Sequence, residues 1–321
     1  MRAIMCTKYG APEVLFINDV PKPSPKDNEV LIRIHETIVT PADCASRKGE
    51  PFIVRFFAGL FKPKGILGVE LGGVVEEAGE KVTRFQKGDH VYGSSSVGFG
   101  AHAEYICLPA DGTLAPKPST LGFGEAAAIS DGGLTALTFL QDKAQIQEGH
   151  KVLINGASGS VGTFAVQIAK YFGAHVTGVC SGKNAKLVRS LGADKVVDYT
   201  QEDFTKNHNA YDIIFDTVAK SSFSASKKAL KPKGKYLTTV PTFGVMLQVL
   251  WTSIFGGKKA MFAAAGLNPE PKKFTFLKEL AEEGVITPVI DKRFTLDEIV
   301  DAHKYVETGR KKGNIVVSLT S

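Results

Sequence analysis

An α/β protein of two domains, one mostly β and one carrying a doubly wound parallel sheet, is the fold class this sequence predicts. Three observations predict it. The 321-residue chain exceeds what one compact domain needs, so two domains with sizeable cores are the natural prior. Residues 1 to about 120 alternate short strand-like runs with Gly- and Pro-rich turns, whereas helices and strands alternate from Gly124 onward. Within that second region the apolar run Lys151-Val-Leu-Ile-Asn leads through Gly156-Ala157-Ser158-Gly159-Ser160-Val161-Gly162 into an apolar-periodic helix. Strand, glycine turn and helix in that order form a pyrophosphate cradle. Glycines let the backbone approach the phosphates, and the helix start presents amides and the favourable end of its dipole.

The other elements follow in chain order. Strands are predicted over 29–35, 73–77 and 88–93, and a helix over 125–142. After the glycine turn, strands are predicted over 173–180, 195–199, 211–216 and 234–240, giving the βαβ rhythm of a parallel sheet. From about 270 the tail adds a helix over 276–283, two short strands, a helix over 296–308 and a last strand over 314–319.

Composition narrows the function classes. Hydrophobic content of 43% and charged content of 22% describe an ordinary globular protein, and the net charge of +6 is mild. The densest basic cluster, Lys227, Lys228, Lys231, Lys233 and Lys235, meets no aromatic until Tyr236. It reads as a solvated helix end, not a nucleic-acid surface. Cys6, Cys44, Cys107 and Cys180 are scattered without a CxxC pair, as expected of reduced thiols in a cytoplasmic protein. The start, Met1-Arg-Ala-Ile-Met, leads into an amphipathic strand and not a signal peptide. The most apolar segment, 243–255, is too short to span a bilayer, so no membrane insertion is expected.

The strand after the glycine turn ends in Ser181-Gly182-Lys183-Asn184-Ala185-Lys186. A site preferring NAD carries Asp or Glu there, to accept from the ribose 2′-hydroxyl. A hydroxyl and two ammonium groups suit a 2′-phosphate instead, so Ser181, Lys183 and Lys186 point to NADPH. The alternative is that both lysines are ordinary solvated residues of a helix start. Val240 ends a strand at the carboxyl edge of the sheet, where open α/β folds place ligands.

Several longer motifs then line up: Gly68-Val-Glu-Leu-Gly-Gly-Val-Val-Glu-Glu-Ala-Gly79, Val82-Thr-Arg-Phe-Gln-Lys-Gly-Asp-His-Val-Tyr-Gly93, Gly100-Ala-His-Ala-Glu-Tyr105, Gly133-Leu-Thr-Ala136 and Leu191-Gly-Ala-Asp-Lys-Val-Val-Asp-Tyr199. With them the chain resembles the medium-chain dehydrogenase/reductase superfamily over nearly its whole length. Ala157 at the first position of the usual GxGxxG, with Gly156 before it, is similar to the quinone-reductase branch. The resemblance implies a GroES-like catalytic domain from residues 1–123 and 268–321, with a Rossmann NADP-binding domain, 124–267, inserted between. It also implies a homodimer, places Thr135 beside the nicotinamide, and sets Tyr199 near the 2′-phosphate, where a packed strand-end tyrosine is the competing reading.

Zinc decides the chemistry within that superfamily. The positions that carry ligand Cys and His in its alcohol dehydrogenases correspond here to Thr40 and Val69, and the third falls near Asp131. One carboxylate cannot replace three ligands, and 93–100 lacks the cysteines of a structural zinc lobe. No metal is expected. Polarising an isolated carbonyl needs a Lewis acid, whereas a quinone or α,β-unsaturated carbonyl is already activated by conjugation. The expected function is therefore NADPH-dependent, zinc-independent hydride transfer to such a small-molecule acceptor.

Thr40 and Asp131 are the candidate polar groups, with Thr135. Thr40 is alternatively a packed threonine beside Pro41, and Asp131 a solvated helix residue. His35, His90 and His102 read as structural. The apolar segments 51–61 and 243–262 either line a pocket for a bulky substrate or bury an interface. Other readings stay open: a zinc-independent alcohol dehydrogenase, an enoyl-thioester reductase, or an NADPH-binding regulatory protein with little turnover.

Overall fold

A computed structural model describes residues 1–240, 242–266 and 270–319. Its strands are β1 (Arg2–Cys6), β2 (Leu15–Asp19), β3 (Glu29–Ile38), β4 (Gly65–Ile66), β5 (Glu70–Ala78), β6 (His90–Ser94), β7 (Tyr105–Pro109), β8 (Leu114–Pro116), β9 (Lys151–Asn155), β10 (His175–Cys180), β11 (Lys195–Asp198), β12 (Tyr211–Asp216), β13 (Leu230–Thr238), β14 (Lys259–Phe262), β15 (Ile290–Thr295) and β16 (Asn314–Ser318). The chain folds into two units. One comprises Met1–Asp131, Gly266–Gly284 and Pro288–Ser321, and the other Gly132–Ala265 with Val285–Thr287.

The first unit is mostly β. Strands β2, β1 and β4 form a small antiparallel sheet. A larger sheet runs β15-β16-β3-β5-β6-β8, with β7 also on β3. Only β15 and β16 pair in parallel there. Ile32, Ile34, Leu71, Val75, Val91, Ile315 and Val317 are buried in one core, which ties the N-terminal strands to the C-terminal tail.

The second unit is a six-stranded sheet ordered β11-β10-β9-β12-β13-β14, with every neighbouring pair parallel. This is the doubly wound order, and it reverses between β9 and β12, where such folds open their ligand crevice. The sequence reason is visible in Tyr211-Asp-Ile-Ile-Phe-Asp and Lys151-Val-Leu-Ile-Asn. Near-continuous apolar runs suit central strands covered on both faces.

Several expectations shift. The first crossing between units falls at Asp131/Gly132, later than the expected 123/124, because helix Phe123–Ala128 packs on β3, β5 and β16 of the first unit. The expected crossing at 267/268 lies outside the described residues. Lys231, Lys233 and Lys235 fall within β13 and not at a helix end: Lys235 pairs with Ile213 of β12, Lys231 and Lys233 lie in the bulge before it, and Lys231 is ion-paired with Asp212 at 2.6 Å. The helix expected over 276–283 is Pro271–Glu282, started by its proline, and one strand, β15, stands where two were expected. Strand β14 was not anticipated at all.

Candidate functional site

In the second unit, β9 ends at Asn155 and the turn begins with Gly156 at φ +82°, which favours glycine. The Gly156 and Ala157 amides both donate to Val179 O of β10, at 3.1 and 3.0 Å, and the Gly159 amide donates back to Gly156 O at 2.9 Å. Gly159 is the N-cap of helix Ser160–Tyr171, and no side chain caps that end. Gly162 lets the helix sit against the turn: a Cβ there would lie 2.1 Å from Gly156 O. The start of a long buried helix is thus left open on a glycine floor, which suits an anion.

The side chains around this turn are ordered by neighbours that the sequence reading missed. Asn184 donates to Ser158 Oγ at 3.0 Å, while its own Oδ1 is buried without a partner. Buried Asp216, at the carboxyl end of β12, accepts from Asn155 Nδ2 at 3.0 Å, Tyr236 OH at 3.0 Å and the Ser221 amide at 2.8 Å. That network fixes the ends of β9, β12 and β13 beside the glycine turn. Both acids and amides of this kind recur in loops, so single-sequence reading gives them no distinguishing signal.

Ser181 follows β10 and is half-buried, whereas Lys183 and Lys186 are exposed with no ion-pair partner among the described residues. Tyr199 is exposed, its amide donating to Cys180 O at 3.2 Å, so the tyrosine stands by the end of β10. The fold adds one group that the sequence reading left out. Asp198 Oδ2 lies 2.4 Å from where a Gly182 Cβ would be. Bonds from the Thr200 amide and hydroxyl hold the Asp198 carboxyl below its usual range. A carboxylate therefore does border this corner, facing the Gly182 backbone. Thr135 is half-buried in helix Leu134–Leu137 of the same unit, and Val240 is exposed just past β13.

The other candidate polar groups lie in the first unit. Thr40 caps helix Pro41–Lys48. Its hydroxyl accepts from the Asp43 amide at 3.2 Å and donates to Asp43 Oδ2 at 2.7 Å, while the Thr40 amide donates to the same oxygen at 2.8 Å. This closed pair makes Thr40 a cap with its hydroxyl hydrogen already engaged. Next to it, Thr37 Oγ1 donates to Glu70 O at 2.6 Å, locking the end of β3 to the start of β5. Glu70 is buried with Oε2 unpartnered. Burial, then the charges of Asp131 and Asp43, push its carboxyl well above the usual range. Asp131, half-buried in the π turn Ile129–Gly133, thus acts on the same spot as Thr40's partner. Desolvation lowers the Lys311 ammonium to about 8, and its Nζ donates to Gly313 O at 2.6 Å.

Cys44 is packed inside, its Sγ 3.5 Å from His303 Nδ1, and burial pushes the thiol up to about 12. Burial likewise holds His303 down at about 2, so the pair is neutral. His102 sets Nε2 3.1 Å from Ile38 O, and His35 stacks on Phe123 with centroids 4.5 Å apart. Both roles are structural.

Among the described residues no three of His, Cys, Asp and Glu are grouped as a metal ion requires. Val69 offers no donor atom, and Thr40 is committed to Asp43, so these residues do not fit a zinc. A dinucleotide does fit: the uncapped helix start, the Gly162 seat and the orphaned Asn184 Oδ1 all lie at one turn.

Comparison with known proteins agrees with this geometry. Residues 26–119 match an alcohol dehydrogenase GroES-like domain, and residues 191–317 match a domain described as a zinc-binding dehydrogenase. The chain is 33% identical to the NAD(P)H oxidoreductase RTN4IP1, mitochondrial, of Mus musculus, over 99% of this chain and 89% of that protein. It is 32% identical to the 2-methylene-furan-3-one reductase of Solanum lycopersicum, over 99% of this chain and 79% of that protein. The solved quinone oxidoreductase of Coxiella burnetii superposes with a TM-score of 0.88 at 30% identity, covering 100% of this chain and 99% of that one. The chain belongs to the medium-chain dehydrogenase/reductase superfamily, in its quinone oxidoreductase branch, a family of NAD(P)H-dependent oxidoreductases.

Proposed function

We propose that this chain is an NADPH-dependent, zinc-independent reductase of conjugated acceptors, quinones or α,β-unsaturated carbonyls. The observation that carries the reading is the pair Thr40 and Val69: a capped hydroxyl and an alkyl group stand where zinc-using relatives would need donors. Without a Lewis acid, an acceptor activated by its own conjugation is the favourable one. The names of relatives that reduce a methylene-furanone and a quinone support the same class.

NADPH, when bound, supplies the hydride. The turn 156–162 would seat the pyrophosphate at the uncapped helix start that follows Gly159, and Ser181, Lys183, Lys186 and Tyr199 would hold the 2′-phosphate. Thr135 orients the nicotinamide side. The hydride NADPH would supply suits the β-carbon of an enone, or a quinone, because conjugation carries the charge to the acceptor oxygen. A proton from water would complete the saturated carbonyl or the hydroquinone. The Asp198 carboxylate, held low beside Gly182, opposes a 2′-phosphate, and Lys183 and Lys186 are the charges that would offset it.

The test is a screen of NADPH oxidation against quinones, alkenals, enones, aldehydes and simple alcohols, with metal analysis alongside. Turnover of quinones or enones without bound metal is expected. Alcohol turnover with stoichiometric zinc would overturn the proposal. In the same assay Ser181→Ala with Lys186→Ala raises KM for NADPH by roughly tenfold or more and leaves NADH nearly unchanged. Equal weakening of both cofactors removes the 2′-phosphate assignment.

A further inference from the structure

A cation stands near the corner of the first unit where Asp131 and Asp43 act on Glu70. Strand β16 pairs antiparallel with β3, Val316 against Ile38, and the Val39 amide donates to Ile315 O at 3.0 Å. Carried on by two residues, that register sets Asn314 beside Thr40, the cap of helix Pro41–Lys48. Lys311 lies just before this point and is half-buried, with its Nζ folded back to donate to Gly313 O at 2.6 Å. Three elements turn titratable groups toward its charge: Asp131 from the π turn Ile129–Gly133, Asp291 from β15, and Cys44 from the Thr40-capped helix. The Cys44 thiol, pushed up to about 12, is neutral. Arg310 and Lys312, on either side of Lys311 in sequence, are exposed, so the placement belongs to this one side chain.

An ammonium has three hydrogens to place. Gly313 O takes one, and among the described residues Lys311 has no second hydrogen-bond acceptor and no ion-pair partner. Asp43 Oδ2 accepts instead from the Thr40 amide and hydroxyl. Asp291 Oδ2 accepts from Tyr305 OH at 2.8 Å and from the Lys312 amide at 3.0 Å, and Glu70 keeps its proton. Burial outweighs the pull of Asp131 and Asp291 and lowers the Lys311 ammonium to about 8. A partly desolvated ammonium with unfilled donors suits an oxygen that gains negative charge, and near neutral pH it can give that oxygen a proton.

Taking the acceptor to be the conjugated carbonyl or quinone of the preceding reading, we propose that Lys311 is its general acid, hydrogen-bonded to the acceptor oxygen and the source of that oxygen's proton. Once hydride has entered the acceptor, the electron pair collects on oxygen as an enolate or hydroquinone monoanion. One Lys311 N–H bond breaks and one O–H bond forms, leaving the enol or hydroquinone and a neutral amine. Water returns a proton to the amine, and the enol passes to the saturated carbonyl. The acceptor is reduced by two electrons as NADPH is oxidised to NADP⁺, and the net proton comes from solvent.

One arm of the test needs no cofactor. The lysines of the full chain are reductively methylated with carbon-13 formaldehyde, and the resonance missing from Lys311→Met is followed against pH by NMR. It should titrate near 8, against about 10.4 for an ordinary lysine. The enolate mimic 4-nitrophenolate should bind the unaltered protein and Lys311→Arg, and Lys311→Met at least about tenfold more weakly. In turnover, kcat should fall as pH rises through about 8, where the amine loses the proton it has to give. Lys311→Met should lower kcat about a hundredfold with little change in KM, and remove that alkaline limb. Lys311→Arg should keep part of the rate and carry the limb beyond about pH 10. A Lys311→Met enzyme within about threefold of the unaltered kcat, alkaline limb intact, overturns the Lys311 assignment and leaves the conjugated-acceptor reading standing. So does a Lys311 resonance that titrates with the other lysines while phenolate binding is unmoved, and the pH profile of the unaltered protein holds even if a variant fails to fold. No turnover of any quinone or enone by the unaltered protein overturns the acceptor reading and the general acid with it.

Discussion

Two strand-to-helix junctions of this molecule differ in what they leave open. After β9 the helix Ser160–Tyr171 begins on Gly159, which has no side chain to close it. After β3 the helix Pro41–Lys48 begins on Thr40, where Asp43 and Thr40 satisfy each other and Pro41 at the first helical position removes a donor. The first end is capped by no side chain, and the second is sealed by its own residues. The lesson is that a binding site here is made by withholding a cap, and that a polar residue in the expected place can be engaged already.

The contrast can be broken from either side. The largest effect is expected from Gly159→Asp, which closes the open junction. The new carboxylate caps the helix and adds up to about 1 kcal/mol of stability. It also repels the pyrophosphate, so NADPH affinity should fall at least about tenfold. Opposite signs in melting temperature and in fluorescence-titrated affinity are the expected outcome. If both rise, or affinity is unmoved, the turn is not the phosphate seat.

A smaller effect is expected from opening the sealed junction. Thr40→Ala should cost about 1 kcal/mol in denaturant unfolding, and Thr40→Ser should recover most of it. Steady-state rates should change little. A large loss of kcat with unchanged stability would instead give the Thr40 hydroxyl a part in the reaction.

The smallest effect depends on pH. Glu70 keeps its proton in the folded state to well above 4.5, because burial and the Asp131 and Asp43 charges disfavour the anion. Below pH 4.5 both states are protonated and the group is silent. As pH rises, the unfolded chain releases the proton while the folded one holds it, so stability falls until the folded group also ionises. Glu70→Gln removes that slope. Melting curves should show the variant gaining on the unaltered protein from pH 5 to pH 8, and a constant difference would show that Glu70 is ionised and paired.

Legibility followed the same division. Strand β12 stands over 211–216 as expected and β9 over 151–155, since unbroken apolar runs bounded by turns admit few alternatives. The cradle was legible because glycine spacing is local. Strand β13 reads as starting only at Gly234, because Lys231-Pro232-Lys233 has the composition of a loop; the ladder with β12 passes from Leu230 to Lys235 and leaves these residues in a bulge. Strand β14 hides in an apolar segment whose helix and strand share one composition. The Thr40-x-x-Asp43 box was present in sequence, yet the family position drew Thr40 toward a chemical role. Asp198 beside Gly182, and His303 against Cys44, join elements far apart in sequence, and no local pattern announces them.

The cysteines carry a consequence for survival in use. Burial pushes Cys44 to about 12 and Cys6, Cys107 and Cys180 each to about 11. At neutral pH roughly one in ten thousand or fewer of these thiols is the reactive anion. Quinones and conjugated carbonyls are the reagents that alkylate thiolates. A protein proposed to handle them all day is built with none of its sulfurs ready to be caught, and so is expected to outlast its own substrates.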